Sequence, residues 1–169
     1  MFLEGISCYN YYNGPMIEFC DVLDAGANCQ LYAHILLEEL GFSLPKYLRS
    51  REIFYERFFT RFLEQNEEPR IGDIYLFGEA DKNDPMFFHL AIVIKFSSSG
   101  EPVLGHIIPD KVCEKAGEQT NQVEWPLSRF YEFPRYQLKA RKRVLSSGER
   151  IEAIAKRKQE SAKKLNEVK

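Results

Sequence analysis

The chain has 169 residues, of which 44% are hydrophobic and 14% aromatic, and this composition excludes a disordered chain. Its formal net charge is −2 at pH 7, with the acidic residues concentrated before residue 139, so we expect no nucleic-acid partner. There is no run of about 18 apolar residues, and residues 1–7 lack the pattern of a secretory signal. We therefore expect no membrane partner and a cytoplasmic location.

The first strong pattern lies between Asn28 and Gly41, where apolar residues recur at helical spacing. It predicts an amphipathic helix from about Asn28 to Leu40. Asn28 suits the N-cap, and Gly41 suits the position that follows a helix end. The polar side of this helix, which we expect to face solvent, carries Gln30, His34 and Glu38.

The sequence that follows this helix predicts a second helix and then a run of strands. The second helix is predicted over residues 50–64, buried through isoleucine and phenylalanine side chains. The strands are predicted at residues 71–77, 89–96, 102–108 and 135–144. Helices that precede an antiparallel sheet predict an α+β fold, with the N-terminal helices packed on a central antiparallel sheet.

We expect residues 146–169 to form a basic helical tail that is separate from the domain of residues 1–145. From Lys139 onward, 11 Lys and Arg residues stand against 4 Asp and Glu residues. Ser146 and Glu149 have the spacing of a capping box, which predicts a helix start. Attraction between this tail and the acidic body suggests a homo-oligomer formed through the tail, and a solvated surface helix is the alternative.

Cys29 is the strongest candidate for a chemical role among the four cysteines. It stands at the predicted helix start, where the helix macrodipole favours the thiolate and is expected to lower the pKa of the thiol. A cysteine on an apolar stripe is also a common core residue. Burial does not separate these two interpretations, because a nucleophile that faces a packed sheet lies on the same stripe.

Two histidines follow on neighbouring predicted strands. His89 begins a strand, where it is held rigidly enough to act as the base for a cysteine. Ala91 shares its face, and the small side chain is expected to let a helix approach closely. If Phe96 pairs with Glu101, His106 lies diagonal to His89 on that face and can fix its tautomer. A purely structural role for these histidines is the alternative.

The other cysteines and histidines show no metal-binding pattern. No two cysteines have C-x-x-C spacing, and the three histidines lie far apart in the sequence. We therefore expect no metal and no cofactor.

In these features the chain resembles the NlpC-type cysteine peptidases, bacterial cell-wall endopeptidases of papain-like fold. The family's first motif is a Cys at the start of an apolar helix followed by Gly and Leu-Pro, and residues 29–45 match it with the same spacing. The family's Gly-Asp-led strand is similar to residues 70–77, and its His-led strand to residues 89–92. Its third polar residue falls on His106, and its basic closing strand is similar to residues 139–144.

The resemblance implies a cysteine hydrolase in which Cys29, His89 and His106 form a triad. The implied substrate is a peptide or peptidoglycan fragment, cleaved at an amide such as a γ-D-glutamyl–diamino acid bond. The chain departs from the family beside the Cys and in the upstream Tyr motif. We assign the oxyanion and substrate-lining positions to Asn28, Gln30, Tyr12 and Tyr32.

Two other functions remain open. A binding or scaffold domain of the same fold is favoured by these departures, because they alter the expected pocket. A thiol acyltransferase or deamidase shares every catalytic residue with the hydrolase and differs only in the acceptor.

Overall fold

The computed structural model describes residues 28–167, with side chains given for residues 28–164. The helices in this part are α1 (Cys29–Glu39), α2 (Ser50–Tyr55), α3 (Asp110–Ala116), α4 (Leu127–Phe130) and α5 (Ser147–Glu167). The strands are β1 (Thr60–Phe62), β2 (Ile74–Gly78), β3 (His89–Phe96), β4 (Pro102–Ile107), β5 (Gln122–Pro126) and β6 (Gln137–Val144). These six strands form one antiparallel sheet in the order β1-β6-β2-β3-β4-β5. The α+β class is thereby confirmed.

Helix α1 begins and ends where its capping residues predict. The Asn28 Oδ1 accepts a hydrogen bond from the Leu31 amide at 2.8 Å, which satisfies one of the free amides of the first turn. Gly41 follows the helix end with a φ of +83°, a conformation that glycine adopts without strain. The chain is therefore fixed at both ends of the helix that carries Cys29.

The expected solvent-facing side of α1 is wrong for two of its three residues. Gln30 and His34 are buried, because the chain that follows α1 returns across this side. The Gln30 Nε2 donates to the Ser50 Oγ at 2.8 Å, and the His34 Nε2 lies 2.7 Å from the Leu48 carbonyl oxygen. Glu38 is exposed, as expected. Helix α1 is thus covered on two sides, once by the sheet and once by its own continuation.

The predicted helix over residues 50–64 is wrong beyond Tyr55. Helix α2 ends there, and β1 follows and pairs with β6. The cause lies in β6, where the fully buried Lys142 donates from Nζ to the carbonyl oxygens of Ile53 and, at 2.7 Å, Glu56. These bonds satisfy carbonyl groups at the end of the helix, so no further turn is needed. Helical propensity is overridden by this tertiary contact.

The two faces of the sheet carry separate cores. Leu90, Ile92 and Ile94 of β3 pack with α1 on one face. Ala91 and Val93 lie on the other face, in a cluster with aromatic side chains from β5, α4 and the segment before β6. Alternation along β3 is therefore as predicted.

Helix α1 does not approach the sheet over Ala91, as the sequence suggested, because it packs on the opposite face. The close approach occurs at Gly105 of β4, where a β-carbon would lie 2.9 Å from the Cδ1 of Leu36. The missing side chain of Gly105 leaves the space that Leu36 occupies. The glycine on the neighbouring strand sets the height of α1 above the sheet.

The turn before β2 is fixed by a buried ion pair and a glycine. Arg143 of β6 donates from Nε and Nη2 to the two carboxylate oxygens of Asp73, each at 2.8 Å. Both side chains are buried, and a paired geometry of this kind is what a buried charge requires. Gly72 has a φ of +87°, and the ring of Phe42 occupies the position that a β-carbon would take.

The tail forms the 21-residue helix α5, which starts with the predicted capping box. The Ser146 amide donates to the Glu149 carboxylate at 2.7 Å, and the Glu149 amide donates to the Ser146 Oγ at 3.2 Å. Most of its described side chains are exposed. Its expected role in oligomer formation stays a prediction. Among the described residues, no helix is long and apolar enough to cross a membrane.

Gly72→Ala should destabilise the fold far more than Gly100→Ala. Both glycines have φ above +80°, so both substitutions add strain of about 1 kcal/mol. At Gly72 a β-carbon would also lie 2.2 Å from a Phe42 ring atom, whereas at Gly100 it would meet nothing within 4 Å. We expect urea unfolding to show a loss of about 3 kcal/mol for Gly72→Ala. Equal losses for the two variants would contradict this packing argument.

Candidate active site

Cys29 and His89 line the same cavity, which has a volume of about 290 Å³. Cys29 reaches it from the N-terminus of α1 and His89 from the first position of β3, and both residues are partly exposed. The structure therefore brings together the two residues that the sequence paired. The other described residues of the cavity wall are Phe77, Gly78, Glu79, Lys82, Phe87, Phe88, Arg135 and Tyr136.

The Cys29 thiol lies among backbone amides at the junction of α1 and β3. Burial raises the pKa of this thiol, and the amides of Leu90, Cys29 and Gln30, together with the charge of Arg135, lower it by a smaller amount. The expected lowering of the pKa is therefore wrong in direction. The helix start has the predicted favourable influence, but removal from water outweighs it.

His89 and His106 are joined by a direct hydrogen bond. The Nε2 of His89 lies 2.9 Å from the Nδ1 of His106, and the two rings meet edge to face. The prediction that the two histidines share a face of adjacent antiparallel strands is confirmed. This bond occupies the Nε2 of His89 and leaves its Nδ1 as the ring nitrogen available for proton transfer.

The register that brings the histidines together differs from the predicted one near the hairpin. Phe96 pairs with Pro102 instead of Glu101. If this register continued along both strands, His106 would lie on the other face of the sheet. An irregularity between Val93 and Lys95 then shifts the pairing by one residue. The predicted register is thereby restored before His106 is reached.

Aromatic rings enclose His106. Its ring centroid lies 4.7 Å from Trp125, 4.5 Å from Phe130 and 6.0 Å from Tyr136, and the side chain is 1% exposed. The Nε2 of His106 is buried without a hydrogen-bond partner in the described part of the chain. Burial, and after it the neighbouring His89, hold the pKa of His106 well below its usual value. His106 is therefore neutral around pH 7.

His89 is also neutral in the unliganded site. Burial, followed by the charge of Arg135, lowers the pKa of His89 to about 3. Since the pKa of the Cys29 thiol is raised, the pair rests as thiol and imidazole, not as an ion pair. The arrangement suits a base that takes a proton from the thiol as the nucleophile attacks.

The residues expected to line the site have other contacts. Tyr12 lies outside the described residues. Asn28 caps α1 through its side chain, and the Gln30 amide group is bonded to Ser50. Tyr32 is buried in the core between α1 and the sheet, and burial raises the pKa of its hydroxyl. None of these three side chains is among the described residues of the cavity wall, and their role in substrate binding stays a prediction.

Sequence reasoning missed the aromatic and charged walls of the site. Tyr136 lies beside the imidazole of His89, with ring centroids 5.0 Å apart, and Arg135 precedes it. Both were placed in the predicted strand of residues 135–144, but β6 begins at Gln137 and these two residues precede it. Trp125 had a weak signal, because Val123 and Trp125 alternate with the exposed Glu124 over the short strand β5.

The described residues bring no three His, Cys, Asp or Glu side chains together in an arrangement that could hold a metal ion. The polar groups at the cavity are instead a thiol, an imidazole and three charged side chains: Glu79, Lys82 and Arg135.

No protein-family model, no curated protein and no solved structure was found to match the chain. The case for a function therefore depends on the geometry of Cys29, His89 and His106.

The histidines predict a loss of stability in weak acid. The pKa values of His34, His89 and His106 are all lowered in the folded protein, with burial as the largest cause. Below about pH 6.5 the unfolded chain binds protons that the folded chain does not, so the free energy of unfolding falls with pH. Above about pH 6.5 this contribution is fully present. Each fully buried histidine should add about 1 kcal/mol per pH unit to the slope.

Urea unfolding between pH 5 and pH 7 measures this slope. His34→Gln should flatten it by about a third and leave the cavity intact, because His34 lies away from Cys29 and glutamine can still donate to the Leu48 carbonyl. A slope that is the same in the wild type and in His34→Gln would contradict the assignment of His34 as a neutral buried group.

Proposed function

We propose that this chain is a cysteine hydrolase of papain-like, NlpC-type fold that cleaves an amide bond. In this proposal Cys29 is the nucleophile, His89 is the base and later the acid, and His106 orients His89. The observation that supports it most strongly is the bond of 2.9 Å between His89 and His106 at the wall of the cavity that Cys29 lines. A nucleophile, a base and an orienting group in this order are the minimum that thiol hydrolysis needs.

His106 selects the tautomer of His89. If the His89 Nε2–H donates to the His106 Nδ1, the Nδ1 of His89 is unprotonated and can accept the thiol proton. The proton of His106 then lies on its Nε2, where it faces aromatic rings and finds weak N–H···π contacts. The opposite arrangement would place a bare lone pair against those rings. The aromatic enclosure therefore favours the tautomer in which His89 is a base.

The reaction follows from these positions. The Nδ1 of His89 takes the proton of the Cys29 thiol while the sulfur attacks the amide carbonyl, and the developing oxyanion accepts from the amides of Cys29 and Gln30 at the start of α1. His89 then gives the proton to the leaving nitrogen, and a thioester to Cys29 remains. Water, deprotonated by His89, attacks the thioester, and the acid product leaves as the thiol is restored.

The proposed substrate is a peptidoglycan-type peptide, with a γ-D-glutamyl–diamino acid amide as the bond to be cleaved. This part of the proposal depends on the resemblance of Cys29, His89 and His106, with their flanking segments, to the NlpC-type peptidases. The cavity suits a short peptide, because it combines aromatic walls with charged side chains. We propose the cytoplasm as the site of action, on soluble fragments.

A binding domain of the same fold is the second candidate. It is favoured by the raised pKa of Cys29 and the lowered pKa of His89, because neither group is charged before a ligand enters. Such a domain would bind the peptide in the cavity and release it unchanged.

Digestion of purified peptidoglycan peptides separates these functions. The wild type should release a new amine and a new carboxylate at one bond, and Cys29→Ala should abolish this release because the nucleophile is lost. Cys113→Ala is the matched control and should keep full activity, since its sulfur is bonded to the Glu118 and Thr120 carbonyls and is not part of the cavity wall. Binding without cleavage by the wild type would favour the binding domain.

His106 variants test the orienting role. His106→Leu should lower kcat/KM about tenfold to hundredfold, because His89 is then free to adopt the wrong tautomer. His106→Asn keeps a hydrogen-bonding side chain and should recover part of the loss. If both variants keep wild-type kcat/KM, His106 has no part in catalysis.

A further inference from the structure

Arg135 is the charged residue that acts most directly on the candidate nucleophile and base. It lines the cavity with Cys29 and His89, and its side chain is exposed. Burial raises the pKa of the Cys29 thiol, and the charge of Arg135 opposes this rise. Burial lowers the pKa of His89, and the charge of Arg135 adds to this lowering. The pKa of Lys82 on the cavity wall is raised, chiefly by its bond to Glu79, and the charge of Arg135 opposes this rise. The charge of this one guanidinium therefore contributes to the pKa values of three groups on the cavity wall.

Arg135 has no anionic partner in the described part of the chain. None of the ion pairs among these residues includes Arg135. Lys82, the other cation of the cavity wall, lies 2.7 Å from Glu79. The guanidinium of Arg135 instead lies over the ring of Tyr136, 5.4 Å from its centroid, which leaves its N–H groups available.

We propose that Arg135 binds a carboxylate of the substrate, next to the bond that Cys29 attacks. This inference rests on the proposed function and adds the substrate class, an acyl donor or leaving group with a free carboxylate beside the scissile amide. A guanidinium binds a carboxylate through two parallel N–H···O bonds, and the flat face of Arg135 is supported by Tyr136.

The charges of the cavity favour a carboxylate over a phosphate group. Once Glu79 and Lys82 are paired, Arg135 leaves one net positive charge, which matches one carboxylate. A phosphate monoester carries about two negative charges at neutral pH and is expected to need a second cation or a set of backbone amides. The aromatic walls then hold the apolar part of the same ligand.

The test compares two alkylating reagents of the same size, iodoacetate and iodoacetamide. In both reactions the Cys29 sulfur attacks the CH₂ carbon, a C–S bond forms, iodide leaves with the C–I electrons, and the thiol proton passes to His89 or water. The reagents differ in whether they carry a carboxylate or a neutral amide. The rate with iodoacetate divided by the rate with iodoacetamide reports carboxylate binding at Cys29. Changes in the nucleophilicity of the sulfur affect both rates and cancel in this ratio.

Rates are followed for each cysteine by mass spectrometry at pH 7, and the ratio is divided by the same ratio for N-acetylcysteine. In the wild type the normalised ratio at Cys29 should exceed one. Arg135→Gln should lower it about fivefold, the effect of losing one ion pair of this kind. Arg135→Lys should recover most of the ratio because it keeps the charge. Arg51→Gln removes an exposed arginine outside the cavity wall and should change nothing.

The outcomes separate the two proposals. A reactive Cys29 whose ratio is unchanged in Arg135→Gln, or is below one in the wild type, overturns the carboxylate site and leaves the nucleophile in place. If neither reagent modifies Cys29 faster than Cys113, the proposed function is overturned and the carboxylate site with it.

Discussion

The hydrogen bond between His89 and His106 is the interaction on which the candidate site depends. It joins the first residue of β3, at the cavity wall, to His106 of β4, which is buried among aromatic rings. Because both histidines are neutral, the bond is directional and does not require a buried charge. It fixes one nitrogen of His89 and thereby leaves the other for Cys29.

The two sides of the site come from opposite faces of one sheet. Helix α1 packs on the face that carries Leu90 and Ile92, whereas His106 and its aromatic neighbours lie on the other face. Cys29 and His89 line one cavity, and each is the first residue of its element. Gly105 sets the approach of α1, and the capping bond of Asn28 sets where the helix begins. The position of the thiol therefore depends on packing and capping together.

Sequence patterns predicted the elements that carry the site better than the elements around it. Helix α1 and strand β3 have strong periodicity and clear end signals, so Cys29 and His89 were placed correctly. The second helix was predicted too long, because its end is set by a hydrogen bond from Lys142 of β6 to the Ile53 carbonyl group. Lys142 is distant in the sequence, so local patterns do not reveal this contact. The walls of the cavity were not predicted, since Arg135 and Tyr136 were assigned to the last strand, which begins only at Gln137. The direction of the Cys29 pKa shift was also missed, because burial is a tertiary property that the helix start does not reveal.

The central claim is that His106 holds His89 as a neutral base with an unprotonated Nδ1. Two-bond ¹H–¹⁵N correlation spectra of the three imidazoles at pH 7 test this claim most directly, with His34→Gln used to assign the third ring. The account predicts that His89 and His106 are both neutral and both carry their proton on Nε2. A protonated Nδ1 on His89, or an imidazolium at this pH, would contradict the account.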